Sequence, residues 1–170
     1  MMRQHGHFLR VSPDKPPSLM IEYWKNPDEN AAVFQGDFYL TGDNAYRDAD
    51  GYLWFVGRAD DVISSAGYRI GPFEVESALL EHPAVMESAV VASPDADRGS
   101  IVKAFVRLRE GTSGSDALVV ELQKHVKRIT APYKYPREIE FVDDLPKTVS
   151  GKIRRVELRH REEERKRGPS

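Results

Sequence analysis

The sequence has no cysteine, which excludes disulfide bridges, thiol nucleophiles and thiolate zinc sites and fits a reducing compartment. It lacks any apolar run of the roughly 18 residues that a membrane-spanning helix needs. Residues 1–7 offer no apolar core of signal-peptide length. The formal charge is only −2 at pH 7, too small for a global field that would draw the chain to nucleic acid or an anionic membrane. Histidines are few and scattered: His5 and His7 form a pair, but His82, His125 and His160 lie far away in sequence, so a structural or solvated role is favoured over metal binding. Asp48 and Asp50 lack the spacing and terminal glutamate of a calcium loop. No internal repeat is visible. What remains is ordinary for a globular protein, with 40% hydrophobic and 31% charged residues in a chain of 170. That length suits one core, or a small domain with an attached piece.

The first 57 residues read as β-structure belonging to a larger domain. His7–Val11 is expected to be a short strand, and the three prolines of Ser12–Pro17 make a loop. Asp28 is the expected cap of a single helical turn through Ala32. Gly36–Asp43 reads as a strand ending in a tight glycine turn that presents a carboxylate, although such turns usually only reverse the chain. Asp48-Ala49-Asp50-Gly51 is a turn between Ala45-Tyr46 and Tyr52–Val56, a hairpin whose chemistry accounts for both aspartates.

From residue 60 the chain reads as self-contained. Gly71 before Pro72 signals a helix start, with Glu74 and Glu76 in its first turn, where the helix dipole favours acids. Phe73, Val75, Leu79 and Leu80 form its apolar stripe, which ends at His82-Pro83. Val85–Ala92 and Val102–Leu108 read as strands around a loop at Pro94–Gly99. Ser115 or Asp116 caps a helix with apolar positions Leu118, Val119, Leu122, Val126 and Ile129. Glu138–Val142 is a third strand, and a last helix follows Gly151. The order hairpin, α, β, β, α, β, α predicts an α+β domain: a β-hairpin and a three-stranded sheet packed by helices.

Two stretches carry chemistry. Gly57–Glu76 places Arg58, Asp60, Asp61 and Arg69 on glycine-flanked backbone; charge alone leaves open a solvated interdomain turn and a polar site for a charged ligand. Leu145–Arg155 contains a Gly151-Lys152 pair. A phosphate-loop reading fails, because that motif needs glycine at 146 and Ser or Thr at 153, where this chain has Pro146 and Ile153. Unaided, Lys152 reads as a solvated loop lysine.

As whole strings both stretches are far more specific. Gly57-Arg58-x-Asp60-Asp61-x-Ile63 with Gly67-Tyr68-Arg69-Ile70-x-Pro72-x-Glu74-Val75-Glu76 resembles the hinge signature of the adenylate-forming enzymes, the acyl-CoA synthetase and luciferase-like superfamily. Pro146-Lys147-Thr148-x-Ser150-Gly151-Lys152 resembles that family's closing motif. Glu81-His82-Pro83-Ala84-Val85, Lys103-Ala104-Phe105-Val106 and Thr130–Arg137 are worded like medium-chain acyl-CoA synthetases, and the likeness runs from about Gly36 to Leu158. The resemblance implies that residues 1–59 are the tail of an N-terminal barrel domain and 60–170 the mobile C-terminal domain. It makes Lys152 the catalytic lysine of adenylation, Asp60 the pivot, and Asp43 the acceptor for both ribose hydroxyls. Arg58 and Arg69 should lie near the nucleotide, and Gly67, Tyr68, Arg98, Lys127 and Tyr135 should contact CoA. Leu40 and Ala66 depart from the family's common Arg and Ser.

The implied reaction joins a medium-chain fatty or aromatic acid to CoA through an acyl-adenylate, with ATP and CoA as substrates and Mg2+ expected in the full-length enzyme but not on this chain. The phosphate loop and acyl pocket of the family have no counterpart here, so the chain alone is expected to be inactive. An adenylation domain serving a carrier protein and a free-standing CoA- or nucleotide-binding module are the alternatives. Nucleic-acid binding is disfavoured: Lys152–Arg167 holds eight Lys/Arg against four Glu, but mixes signs in the manner of a solvated helix. The expected location is cytoplasmic, or the mitochondrial matrix if the source is a eukaryote.

Overall fold

The structure, a computed structural model, describes residues 5–10 and 17–167. The chain divides into two compact units, Met1–Asp60 and Asp61–Ser170. The proposed loop at Ser12–Pro17 lies outside the described residues, except for its last proline.

In the first unit β1 (His5–Arg10), β2 (Phe34–Gln35) and β4 (Leu53–Arg58) each pair antiparallel with the long β3 (Phe38–Arg47). The helix α1 (Pro27–Val33) begins two residues earlier than expected. Asn26, not Asp28, is its cap, and its side chain accepts from the Glu29 N–H at 3.3 Å. Pro27 fixes φ at the first helical position and so places the cap immediately before it. The expected chain reversal at Thr41-Gly42-Asp43 does not occur. The strand runs straight through, with Gly42 at φ +73° and a bulge between Asn44 and Ala45. The hairpin at Asp48–Gly51 is as expected. The Asp48 carboxylate accepts from the Trp54 indole at 2.7 Å and from the Asp50 and Tyr52 amides. These bonds, the indole's first, hold its carboxyl below the ordinary range. Strand β4 continues past Val56 through Gly57 and Arg58.

The second unit has the predicted α+β architecture. A hairpin of β5 (Ile63–Ser65) and β6 (Tyr68–Ile70) leads into α2 (Pro72–Leu80). There follow β7 (Val85–Asp95), β8 (Gly99–Leu108), α3 (Asp116–Ile129), a 3₁₀ turn (Pro132–Lys134), β9 (Glu138–Phe141) and α4 (Arg155–Arg167). The sheet order is β7-β8-β9, with β8 antiparallel to β7 and parallel to β9. Strands β7 and β8 outrun their predicted ends, because the Asp95 carboxylate accepts from the Asp97 and Arg98 amides and Gly99 takes φ +71°. Only residues 96–98 are left as a loop.

Successive strand residues point to opposite faces, and here both faces are buried. Val90, Val102, Ala104 and Val106 pack with Ile63, Ile70, Val75, Leu79, Leu118, Leu122 and Val126. Ala89, Val91 and Phe105 pack on the other side with Leu145 and Leu158. The hairpin, α2 and α3 therefore cover one face, and the Leu145–Ile153 segment with α4 covers the other. Full burial of a side chain such as Leu122 or Leu158 contributes about 1.5–3 kcal/mol.

Several details differ from the sequence reading. On α2, Phe73 and Leu80 are exposed, and Ile129 of α3 is exposed too. Glu76 is not a solvated first-turn acid but is buried: it accepts from the Val90 N–H at 2.8 Å and from Arg155. Nor is α4 a helix solvated all round. Leu158 and Glu162 are buried in it, and Glu162 bonds Ser93 at 2.8 Å and Lys103 at 2.7 Å. The buried Lys103 ammonium also meets Glu140 at 2.7 Å. Among the described residues no helix is long and apolar enough to cross a membrane.

Burial by itself would raise the Glu162 carboxyl. Hydrogen bonds from Arg165, Lys103 and Ser93, with the Lys103 charge, outweigh it and hold the group at about 2. The shift is downward, so its stabilisation is present above the ordinary value of 4.5 and is lost as pH falls toward about 2. Glu162→Gln should cost about 3–5 kcal/mol at neutral pH, because it leaves a buried ammonium under-compensated. It should also flatten the loss of stability across that acid window. Denaturant unfolding against pH checks both; a cost near zero would mean that Glu140 alone compensates Lys103.

Candidate functional site

The sequence-derived residues fall into three groups, one on the first unit and two on the second. In the first unit the register pairs Asp43 with Arg58 across β3 and β4. The Arg58 guanidinium reaches the Thr41 carbonyl at 2.7 Å, the Asp43 carboxylate at 3.4 Å and the Asp60 carboxylate at 3.3 Å. Arg58, Asp43 and Asp60 are each about half exposed. Glycine suits position 42 because φ is +73°, a strained conformation for other residues, and a Cβ there would stand 2.6 Å from the Arg58 guanidinium and displace it. The Ala59 N–H donates to the Gly42 carbonyl at 2.8 Å and fixes the chain just before Asp60. A carboxylate beside a guanidinium on exposed backbone suits a polyhydroxylated, anionic ligand.

The second group is built on the β5–β6 hairpin. Its two turn residues, Ala66 and Gly67, both have positive φ, +48° and +83°, the requirement of a type I′ turn. The hairpin is seated on the β7–β8 loop. Ser100 Oγ donates to the Ser64 carbonyl at 2.6 Å, and the Ala66 N–H donates to the Arg98 carbonyl at 3.2 Å. Gly67, Tyr68 and Arg98, far apart in sequence, are thereby brought together. Tyr68 stacks on Tyr133 with ring centroids 4.2 Å apart. Tyr133 was not singled out from the sequence, where its alternation with Tyr135 in the Tyr-Lys-Tyr run was the available signal. Lys127 lies over the Tyr135 ring at 3.8 Å, with Arg137 at 5.1 Å. Arg69 is exposed on β6, opposite Ser64. Tyr68 and Tyr133 are exposed and Tyr135 is half-buried; exposed rings can stack on a base, and the cations over Tyr135 can neutralise phosphate.

Lys152 sits in the third group, on a closed loop. Gly151 donates its N–H to the Thr148 carbonyl at 2.9 Å, Thr148 donates to the Lys152 carbonyl at 2.8 Å, and Lys147 bridges Ile153 antiparallel. The Thr148 hydroxyl accepts from the Lys152 N–H at 3.1 Å. Ile153 packs inward against the second core, so its neighbour Lys152 points outward. It is exposed, and among the described residues it forms no ion pair. Lys147 behaves differently, being tied to Glu87 at 2.7 Å. One lysine of the motif holds the loop and the other is presented by it. No cluster of three or more acidic or histidine side chains among the described residues fits a metal ion.

Residues 74–152 match the family model described as the AMP-binding enzyme C-terminal domain. The human mitochondrial acyl-coenzyme A synthetase ACSM4 is 60% identical over 156 residues, which are 91% of this chain and 27% of that protein. Among solved structures, the acyl-CoA synthetase of Brucella canis is 52% identical with a TM-score of 0.63, covering 86% of this chain and 26% of its own. The o-succinylbenzoate CoA synthetase of Bacillus subtilis, in complex with the acyl-adenylate intermediate OSB-AMP, is 35% identical with a TM-score of 0.79, covering 91% and 30%. The chain thus spans about a quarter of the length of the curated relatives it matches.

The Lys147–Glu87 contact gives the loop a titratable marker. The hydrogen bond from Lys147, against the opposing effect of burial and with help from Arg107, holds the Glu87 carboxyl below its ordinary range. Lys147→Met should move that titration upward while leaving the fold intact, as read from the carboxyl carbon shift. An unmoved Glu87 would mean that Arg107 alone sets it and that Lys147 does not hold the loop.

Proposed function

The chain belongs to the AMP-binding enzyme family through the C-terminal domain at residues 74–152, and from that premise we propose that it is the C-terminal part of an acid–thiol ligase. The enzyme joins a carboxylic acid, medium-chain fatty or aromatic, to ATP as an acyl-adenylate and then passes the acyl group to CoA. The observation that carries this reading is the placement of two polar surfaces on opposite faces of one sheet. Ile63 and Ile70 anchor the Gly67 hairpin in the first core, and Leu145 and Ile153 anchor the Lys152 loop in the second. A two-step ligase whose small domain serves both steps needs two such surfaces, exchanged by rotation about a hinge.

In the first step a carboxylate oxygen attacks the α-phosphorus of ATP, and the bond to pyrophosphate breaks. Negative charge builds on the phosphoryl oxygens, and the unpaired Lys152 ammonium is the donor offered to them. Asp43 accepts from the ribose hydroxyls, with Arg58 and Arg69 near the nucleotide. In the second step the CoA thiol attacks the acyl carbonyl, loses its proton, and AMP leaves. Gly67, Tyr68 and Arg98 line the path of the thiol arm, and Lys127 with Tyr135 meets the phosphorylated end of CoA. ATP, the acid and the accompanying Mg2+ are held chiefly by the rest of the protein. The human relative is named as mitochondrial, which supports a mitochondrial matrix location if this chain comes from a eukaryote, and the cytoplasm otherwise.

In the full-length enzyme Lys152→Ala should slow adenylate formation roughly 10²–10³-fold, the usual worth of one preorganised donor, and spare thioester synthesis from supplied acyl-adenylate. Separate assays of the two half-reactions decide this, and equal losses in both would make Lys152 structural.

Asp60 gives the hinge its own test. Proline fixes φ near −65° and removes the N–H, so Asp60→Pro should trap one catalytic state. Adenylation should survive near normal while thioester formation falls steeply. Asp60→Ala keeps rotation free and should cost far less in either step. Equal damage from the two substitutions would assign the chemistry to the carboxylate and remove the hinge.

A further inference from the structure

We propose that Asp61 is a positioning residue that ends the hinge on the side of the second unit and couples it to the loop carrying Lys152. This rests on the reading of the chain as part of an adenylate-forming ligase. The Asp61 carboxylate is largely buried, 13% exposed, and lies 3.3 Å from Arg159 and 3.9 Å from Arg155. Arg155 in turn holds both carboxylate oxygens of Glu76, at 2.9 and 2.6 Å. Glu76 is 7% exposed and takes the Val90 N–H at 2.8 Å. Val90 stands on β7, at the edge of the sheet, and its N–H points away from the ladder to β8. The chain of contacts therefore wraps the sheet edge, from α2 on one face to the start of α4 on the other.

Two features make this more than a stabilising ion cluster. The first is position along the chain. Asp60 is flanked by Ala59, whose N–H is bonded to the Gly42 carbonyl, and by Asp61, whose side chain is bonded into the second unit. Fixing both neighbours concentrates any dihedral change at one residue, as a hinge requires. The second is the identity of the partner. Arg155 follows Lys152 by three residues, and Arg154 closes the Lys152 loop through its N–H on the Pro146 carbonyl at 2.8 Å. The Asp61–Arg155 contact thus joins the end of the hinge to the flank of the loop. Rotation at Asp60 then carries Lys152 as part of one body and does not leave its loop to lag. An exposed pair would contribute little of this kind; a desolvated bidentate pair such as Arg155–Glu76 has the geometric definition to do it.

Hydrogen exchange on the 170-residue chain tests the coupling without reference to catalysis. In Asp61→Ala and in the milder Asp61→Asn, amides of residues 147–153 should exchange about tenfold faster, with the β7 and β8 amides unchanged. Asp61→Glu should restore most of the protection. Acceleration spread evenly over the unit, or none at all, would refute the proposal. In the full-length enzyme Asp61→Ala should slow adenylate formation about tenfold, the scale of a small misplacement of a catalytic group. Added to Lys152→Ala it should cost nothing further, whereas fully additive losses would show that Asp61 acts independently of Lys152. If Lys152→Ala alone proved silent, the ligase reading would fall, and the exchange result would still decide the coupling.

Discussion

The second unit is governed by the need to bury both faces of a three-stranded sheet. Strand β8 lies between β7 and β9 and contributes Val102, Ala104 and Val106 to one core and Phe105 to the other. Neither face can be left wet, so each recruits its own cover: the hairpin with α2 and α3 on one side, and the Leu145 segment with α4 on the other. The two candidate surfaces inherit their separation from this. The Gly67 turn and the Lys152 loop are the exposed ends of elements whose apolar residues are committed to opposite cores. Ile63 and Ile70 hold one, Leu145 and Ile153 the other, and neither surface can move independently of its core.

The same sheet explains why so much charge is buried. Strand β7 is an edge, and an open edge with free N–H groups is a liability unless covered. Glu76 covers it at Val90, which brings a carboxylate into the interior and obliges Arg155 to follow. On the α4 face Lys103, set among strand residues, must be met by Glu140 and Glu162. Each of these charges costs several kcal/mol to desolvate and is tolerated only in near-complete hydrogen-bonding geometry. Such clusters give weak stabilisation but a sharply defined arrangement.

What could be read in advance follows from this division. Element types and order were legible, because period-two runs such as Val102–Leu108 and three-four spacings such as Leu118, Leu122, Val126 reflect burial on a single segment. The Gly71-Pro72 start was legible for the same local reason, and so was a cap at Ser115 or Asp116, which the structure places at Ser115. Failures came where a distant residue decided the outcome. Glu76 reads as a first-turn acid until Val90 and Arg155 arrive from 14 and 79 positions away. The mixed charges of α4 read as a solvated helix until Ser93 and Lys103 claim Glu162. Thr41-Gly42-Asp43 reads as a turn because glycine commonly ends a strand; in the structure Gly42 lies inside β3, beside the Arg58 guanidinium of the neighbouring strand. The candidate site residues were legible only as strings resembling a known family. Nothing in the local chemistry of Lys152 or Gly67 distinguishes them from solvated loop residues.

The contrast among the lysines is the last consequence. Lys103 is buried between two carboxylates, Lys134 and Lys147 are each held by a glutamate at 2.6–2.7 Å, and Lys166 by Glu138. Lys152 has no such partner among the described residues, although its backbone is among the most constrained in its segment, closed by Thr148 on both its N–H and its carbonyl. Stability alone is nearly indifferent to this, since an exposed ion pair contributes little, and the rigid backbone leaves the ammonium presented to solvent. The combination suits a charge reserved for an external anion, because pairing it internally would oppose the incoming phosphoryl group with its own counterion. That the surrounding motif spends Lys147 on Glu87, two residues before the turn, and leaves Lys152 unspent supports the role proposed for it.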